Sequence, residues 1–191
     1  MTARDLACRR GDRVLFAGLS LDLRPGAALH VLGANGIGKS SLLRLLAGLA
    51  RPYAGTVERA GMIGLIDERP ALDPALPLGK ALGFWASIDR SPAAGQAATT
   101  ARLGLAELLD VPVRYLSTGQ KKRAALARLI GQRAPIWLLD EPLNGLDSAA
   151  AVLVGEVIAG HCAGGGIAVI ASHQPLAVPG KNELALADYA A

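Results

Sequence analysis

The sequence predicts an α/β domain in which a buried parallel sheet carries a phosphate-binding loop. Three observations support this fold class. Residues 33–40 read GANGIGKS, and the spacing G-x-x-x-x-G-K-S is typical of loops that bind polyphosphates. A short apolar stretch precedes the loop, and a leucine-rich helical pattern follows it. Two later apolar stretches, at 134–139 and 167–171, have the continuous hydrophobicity of strands that are buried on both faces.

The first 70 residues predict an antiparallel sheet in addition to the parallel one. Strand patterns at 3–9 and 13–23 are joined by a turn centred on Gly11, so we expect a hairpin. Two further short strands are predicted at 56–59 and 62–66. We expect these two strands to form a second antiparallel pair. The two pairs would then flank the strand, glycine-rich loop and helix at 27–47, giving a mixed sheet core.

The glycine-rich loop is the first candidate site. It lies between a strand at 27–32 and a helix at 41–47 that ends near Gly48. This arrangement directs a helix N-terminus and several backbone N–H groups at a bound anion. Lys39 adds a positive charge and Ser40 a hydroxyl for Mg²⁺. The candidate phosphate-binding residues are Gly33, Ala34, Asn35, Gly36, Ile37, Gly38, Lys39, Ser40 and Ser41.

The composition changes between about 70 and 115. Strand-forming residues become scarce, prolines recur, and helix-like patterns occupy 78–88, 93–103 and 105–110. We interpret the chain as a single domain over 1–191, with a core at 1–69 and 116–191 and a small helical subdomain at 70–115. The alternative is that 70–115 is an irregular connection.

A capped helix is predicted after the helical segment. Ser117 and Gln120 have the spacing of a capping box, followed by a helix over 121–130. Three cations at 121–123 occupy its start, where the helix dipole disfavours positive charge. Two interpretations stay open: an ordinary capped helix, or a second phosphate site formed by Ser117, Gly119 and the helix N-terminus.

Polar residues follow both later strands of the predicted parallel sheet. Asp140 and Glu141 end one strand, and Ser172 and His173 end the other, which is the edge where open α/β sheets bind ligands. We expect Asp140 to hold Mg²⁺, Glu141 to act as a general base on a water molecule, and His173 to contact a γ-phosphate. A helix over 148–159 and a last edge strand over 183–188 complete the pattern.

Composition narrows the function classes. The net charge of +4 comes from scattered basic residues without interleaved aromatics, so nucleic acid is not the expected main partner. Apolar runs of about 18 residues, which span a bilayer, are absent from the sequence. Cys8 and Cys162 lie far apart and match no metal spacing, as expected of free thiols in a reducing compartment.

The motifs in their order resemble the ATP-binding cassette ATPases. The phosphate loop is followed by LSTGQ at 116–120, an apolar strand ending in Asp-Glu, a G-L-D turn and S-H-Q. The resemblance implies ATP and Mg²⁺ as cofactors and a head-to-tail dimer with ATP sandwiched between two subunits. In that dimer, Ser117, Thr118, Gly119 and Gln120 would be the signature motif that contacts the other subunit's ATP. Asp147 would be the D-loop aspartate and His173 the switch histidine.

Within that superfamily, four stretches resemble the haem-exporter ATPases of cytochrome c biogenesis (the CcmA type). They are 13–20, 41–52, 114–120 and 172–174. The resemblance implies a peripheral subunit on the cytoplasmic face of the inner membrane, bound to an integral membrane permease and contacting the membrane only through it. Its ATP hydrolysis would serve haem delivery by releasing a haem-loaded chaperone. The alternatives are a transporter ATPase for another cargo, a soluble cassette ATPase acting on ribosomes or DNA, and a P-loop kinase.

The sequence departs from the cassette pattern in three places. Arg69 stands where a Mg²⁺-contacting glutamine is usual, and Glu68 is a possible substitute. The aromatic residue that stacks on adenine is expected near Arg10, and either Arg10 or Phe16 could serve instead. Thr118 replaces the commonest glycine of the signature. We expect the permease to contact residues 69–82.

Overall fold

A computed structural model describes residues 1–190 as eight strands and five α-helices. The strands are β1 (Thr2–Arg10), β2 (Arg13–Asp22), β3 (Ala28–Leu32), β4 (Ala54–Glu58), β5 (Ile63–Ile66), β6 (Ile136–Asp140), β7 (Ile167–Ala171) and β8 (Asn182–Ala185). The helices are α1 (Lys39–Ala47), α2 (Leu78–Asp89), α3 (Ala93–Arg102), α4 (Thr118–Gln132) and α5 (Ser148–Ala163).

A five-stranded parallel sheet forms the centre of the domain, in the order β5-β6-β7-β3-β8. Every residue of β6 and β7 is buried, as their uninterrupted hydrophobicity predicted. The predicted α/β fold class, with a separate antiparallel sheet, is confirmed. Because β3, β6 and β7 run parallel, the polar residues that follow them meet at one edge of the sheet.

The second sheet is antiparallel, in the order β2-β1-β4. The predicted hairpin of β1 and β2 is confirmed. The predicted pairing of the next two strands is wrong, because β4 pairs with β1 and β5 runs parallel beside β6. Burial explains the separation. β4 is largely exposed, whereas Gly64 and Ile66 of β5 are buried, and Gly64 lies directly against Leu129 of α4.

Two hydrophobic cores lie on opposite faces of the parallel sheet. One packs α1 and the antiparallel sheet against one face, with Phe16 and Leu46 fully buried. The other packs α4, α5 and the helical segment against the opposite face. Gly48 adopts a left-handed conformation at the C-terminus of α1, as the predicted helix end requires.

The segment between β5 and α4 is mainly helical. α2 and α3 fall on the first two predicted patterns and pack on α4. The third predicted pattern is only a single 3₁₀ turn, Ala106–Leu108, and a second such turn covers Val113–Tyr115. Within residues 1–190, we find no helix with both the length and the apolar character needed to cross a bilayer. Both cysteines are buried free thiols.

Candidate functional site

One cavity at the carboxyl edge of the parallel sheet brings most of the predicted site residues together. It lies between the glycine-rich loop and the ends of β5, β6 and β7. Its lining residues are Arg10, Arg13, Leu15, Asn35, Gly36, Gly38, Lys39, Ser40, Ser41, Glu68, Thr118, Lys122, Asp140, Glu141, Asn144 and His173. Chain segments separated by more than a hundred residues therefore meet at a single site, as expected for a parallel sheet.

The loop before α1 has the backbone that close approach to an anion requires. Gly36 and Gly38 have φ values of 82° and 117°, which residues with a Cβ rarely adopt. Gly38 is the N-cap of α1 and has no side-chain cap, so the first N–H groups of the helix remain available for a ligand. The buried Phe16 ring supports this turn, since a Cβ on Gly38 would lie 3.3 Å from it.

Lys39 is held inside the loop and close to the predicted base. Its Nζ donates to the carbonyl oxygens of Gly33 at 2.7 Å and Ala34 at 3.3 Å. The same ammonium lies 3.5 Å from Glu141 Oε1. The side chain is only 6% exposed, so its charge acts where solvent screening is weak. Gly33 and Ala34 thus orient the lysine through their carbonyl groups.

Glu141 contacts His173 as well as Lys39. Its Oε2 lies 3.0 Å from His173 Nδ1, although the two residues are 32 positions apart in the chain. The backbone of Glu141 has φ 46°, an unfavourable value for a residue other than glycine, and such strain is typical of functional sites. A hydrogen bond from Glu141 N to Ala171 O, at 2.8 Å, fixes this turn.

Asp140 has the environment of a metal-binding carboxylate. It is 5% exposed, and its Oδ1 makes no hydrogen bond to any residue within 1–190. Burial raises the pKa of this carboxyl, and the neighbouring Ser40 hydroxyl opposes the shift. A buried carboxylate oxygen without a donor, beside a hydroxyl, is a suitable site for a hard cation such as Mg²⁺. These residues therefore fit the metal.

The start of α4 has the predicted capping box. Ser117 Oγ accepts from Gln120 N at 3.2 Å, and Gln120 Oε1 accepts from Ser117 N at 2.8 Å. Gly119 packs against Gly145 of the G-L-D turn, where an added Cβ would lie 2.6 Å from the Gly145 carbonyl oxygen. Asp147 is the N-cap of α5 and accepts from Ala150 N. Of Ser117, Thr118, Gly119, Gln120 and Asp147, only Thr118 lines the cavity of its own chain.

The three cations at the start of α4 have hydrogen-bond partners within the chain, and the phosphate contact of this helix start stays a prediction. Lys121 Nζ donates to Arg114 O at 3.2 Å. Arg123 Nη1 donates to Leu103 O at 2.8 Å. Lys122 Nζ reaches the carbonyl oxygens of Asp140 and Asp67. Each side chain therefore binds a main-chain carbonyl group that compensates its charge.

The sequence left open which residue replaces the metal-contacting glutamine and which residue stacks on the adenine base, and the structure shows where the candidates lie. Glu68 lines both the cavity and an adjoining groove, whereas Arg69 lines only the groove. Phe16 is 0% exposed and so cannot stack on a bound base in this conformation. Arg10 lines the cavity together with Arg13 and Leu15. Sequence reasoning missed Arg13, Lys122 and Asn144, which have no motif signal beyond their proximity to motif residues.

Comparison with protein families gives an unambiguous match. The ABC transporter family model matches residues 16–144. A protein of Novosphingobium aromaticivorans named cytochrome c biogenesis ATP-binding export protein CcmA is 61% identical over 189 residues, covering 99% of this chain and 96% of the relative. A protein of the same name from Sphingopyxis alaskensis is 53% identical, covering 95% and 93%.

Solved structures show the same fold. An ABC transporter ATP-binding protein from Pyrococcus furiosus superposes with a TM-score of 0.87 at 22% identity, covering 100% of this chain and 98% of that one. A metal-chelate type ABC transporter in an inward-facing conformation gives a TM-score of 0.77 at 27% identity, covering 91% and 73%.

Proposed function

The chain belongs to the ABC transporter family, and we propose that it is the ATP-hydrolysing subunit of a membrane complex for cytochrome c maturation. The observation that carries the ATPase proposal is the single cavity that holds the glycine-rich loop, Asp140, Glu141 and His173. The names of the relatives support the pathway. We infer that the complex serves haem delivery, by releasing a haem-loaded chaperone.

The motif residues of the cavity have proposed roles in hydrolysis. The loop residues from Gly33 to Ser41 bind the phosphates through their N–H groups, and Lys39 moves from Glu141 to the β- and γ-phosphates. Glu141, released from Lys39, accepts a proton from the attacking water. His173 keeps Glu141 oriented and contacts the γ-phosphate. The 3.0 Å contact between His173 and Glu141 supports this pairing.

We propose Ser40 and Asp140 as the Mg²⁺ residues, with Glu68 in place of the missing glutamine. When bound, Mg²⁺ would neutralise charge on the phosphate oxygens. Asp140 would contribute its unpaired oxygen directly or through water, and Ser40 its hydroxyl. Arg69 lines the adjoining groove together with Ser40, Glu68 and Asp140, but its guanidinium group is a cation without an acceptor atom, so it cannot be a metal ligand.

A second copy of the chain would complete the site. We propose that Ser117, Thr118, Gly119 and Gln120 contact the γ-phosphate of ATP bound to the other subunit, with Asp147 at the dimer contact. The close packing of Gly119 on Gly145 supports a shared position of these two segments at the dimer contact. Each ATP would then be enclosed between one subunit's loop and the other subunit's α4.

We propose that the membrane partner docks in the groove beside Arg69. Five exposed arginines line this groove, and they outnumber the three carboxylates of Asp67, Glu68 and Asp140: Arg9, Arg10, Arg44, Arg51 and Arg69. Within residues 1–190, none of these guanidinium groups forms a salt bridge. Such a surface favours an acidic cytoplasmic segment of an integral membrane permease, and would hold this chain at the inner membrane. The proposed surface shares Arg69 with the 69–82 segment, whose contact with the permease stays a prediction.

Charge reversal would test the docking groove. Replacing Arg51 with Glu should move the chain from the membrane fraction of source cells to the supernatant, because repulsion replaces attraction. Replacing Arg24, an exposed arginine outside the groove, with Glu is the matched control. Equal membrane retention of both variants would contradict the proposed docking surface.

The pathway is tested in the source cell with a hydrolysis-deficient variant. We would replace Glu141 with Gln and measure covalently bound haem in c-type cytochromes, with b-type haem as the internal reference. Glu156→Gln, on the exposed surface of α5, is the control for the same chemical change. Loss of c-type haem alone supports the proposal. Normal c-type haem with Glu141→Gln would exclude cytochrome c maturation and favour another cargo.

A further inference from the structure

Lys122 lies where α4 meets the ends of two strands. Its Nζ donates to Asp140 O at 3.3 Å and to Asp67 O at 3.5 Å. Asp140 is the last residue of β6, and Asp67 directly follows β5, the neighbouring parallel strand. One ammonium group therefore connects the first turns of α4 to the carboxyl ends of both strands.

The surroundings of this ammonium are acidic and partly closed to solvent. The carboxylates of Asp140 and Glu141 act on it from the end of β6, and those of Asp67 and Glu68 from the segment after β5. The side chain is half-buried and lines the nucleotide cavity of its own chain. Burial of a strongly hydrated ammonium is unfavourable unless other groups compensate it. Here the compensating groups belong to the segments that carry the proposed base and metal residues.

The neighbouring cations show that this arrangement is not a general property of the helix start. Lys121 donates to Arg114 O, and Arg123 donates to Leu103 O in the helical segment. Neither contact reaches the strand ends. Lys80, an exposed lysine of α2 outside the nucleotide cavity, provides a matched control of the same residue type.

We propose that Lys122 is a positioning residue that fixes the Asp140–Glu141 turn and the Glu68 segment to the start of α4. This inference rests on the proposed function, because the first turn of α4 is also the part that would contact ATP on the other subunit. Lys122 then links that contact to the carboxylates of its own site. A subunit whose signature segment binds ATP holds its own base in place, and the two sites of the dimer become coupled.

The placement of Glu141 is sensitive to this link. Its main chain follows Asp140 directly and is already strained, so loss of the Lys122 contact leaves the turn less restrained. A displacement of about 1 Å at a reacting group can reduce a rate by about 10²-fold. Binding of the triphosphate depends instead on the glycine-rich loop, which makes no hydrogen bond to Lys122 within residues 1–190.

The test uses the full chain and three substitutions. Lys122→Met removes the charge and the donor while keeping an unbranched chain, Lys122→Arg keeps both, and Lys80→Met is the control. For each variant we would measure kcat, the ATP and Mg²⁺ concentrations for half-maximal rate, and binding of a fluorescent ATP analogue without Mg²⁺. Thermal unfolding of each variant reports on folding.

We expect Lys122→Met to lower kcat by about 10- to 100-fold, with analogue binding within about 2-fold of the unmutated chain. The Mg²⁺ concentration for half-maximal rate should not rise, because a competing cation beside the carboxylates has been removed. Lys122→Arg should recover most of kcat, and Lys80→Met should change none of these values.

Several outcomes would overturn the inference. Unchanged kcat in Lys122→Met would show that the link has no effect on the base. Equal losses of analogue binding and thermal stability, without rescue by Lys122→Arg, would show a purely structural role. If Lys122→Met is fully active while Glu141→Gln is inactive, only the positioning role fails. If the unmutated chain hydrolyses no ATP, the proposed function fails with it.

Discussion

The contact between Gly119 and Gly145 predicts an unusual response to a glycine-to-alanine substitution. Inside a helix, this change normally stabilises a protein by about 0.5–1 kcal/mol. At Gly119 the new Cβ would lie 2.6 Å from the Gly145 carbonyl oxygen, and the main chain would have to shift. Overpacking of this kind costs about 1–3 kcal/mol. We therefore expect Gly119→Ala to lower the free energy of unfolding by roughly 1 kcal/mol.

Gly83→Ala is the matched control for that prediction. Gly83 lies inside α2, and a Cβ there would meet no atom within 4 Å. We expect this variant to gain about 0.5–1 kcal/mol. For a chain of this size, the two Tm values should move in opposite directions, by roughly 2–4 °C per kcal/mol. Urea and thermal unfolding followed by circular dichroism would measure both changes. If Gly119→Ala stabilises the chain as much as Gly83→Ala, the close approach of α4 to the turn at Gly145 is refuted.

Three further predictions concern stability. Asp147→Ala should lower the free energy of unfolding by about 1 kcal/mol through loss of the α5 cap, while Asp147→Asn should keep most of the capping energy. Equal losses of stability in urea titrations of the two variants would contradict the capping role. Phe16→Ala should cost about 3–5 kcal/mol, since this fully buried ring supports Gly38; a urea midpoint close to that of the unmutated chain would contradict this. Burial lowers the pKa of His30, so at this position the folded chain binds a proton less readily than the unfolded chain. The contribution of His30 to stability is therefore present above about pH 6.5 and is lost as the pH falls through the folded-state pKa. His30→Met should reduce the loss of stability between pH 7 and 5, and an unchanged pH profile would be evidence against it.

Much of the fold follows from local sequence patterns. The strand, loop and helix around Lys39 were predictable because glycine spacing and apolar runs specify them locally. The capping box at Ser117 was likewise readable from two residues. The pairing of β5 was not, because a four-residue strand can pair with either sheet, and its partner β6 lies about 70 residues further along the chain.

The site residues also differ in how far their positions could be predicted from the sequence. Asp140, Glu141 and His173 were predictable as neighbours because all three lie at or just after the carboxyl ends of buried parallel strands. The contacts of the cations at the start of α4 were not, since they depend on side-chain paths toward Asp67, Leu103 and Arg114. Fixed backbone geometry can thus be predicted from motifs, whereas long flexible side chains reveal their partners only in the folded chain.

The most direct test of the central claim is ATP hydrolysis by the purified Glu141→Gln variant, measured together with ATP binding. The amide keeps the size of the side chain but cannot accept the proton of the attacking water. We expect hydrolysis to fall by about 10²–10⁴-fold, ATP binding to stay within a few-fold, and the variant to elute as a dimer with ATP and Mg²⁺. Hydrolysis at the normal rate would show that Glu141 is not the base and would contradict the proposed mechanism.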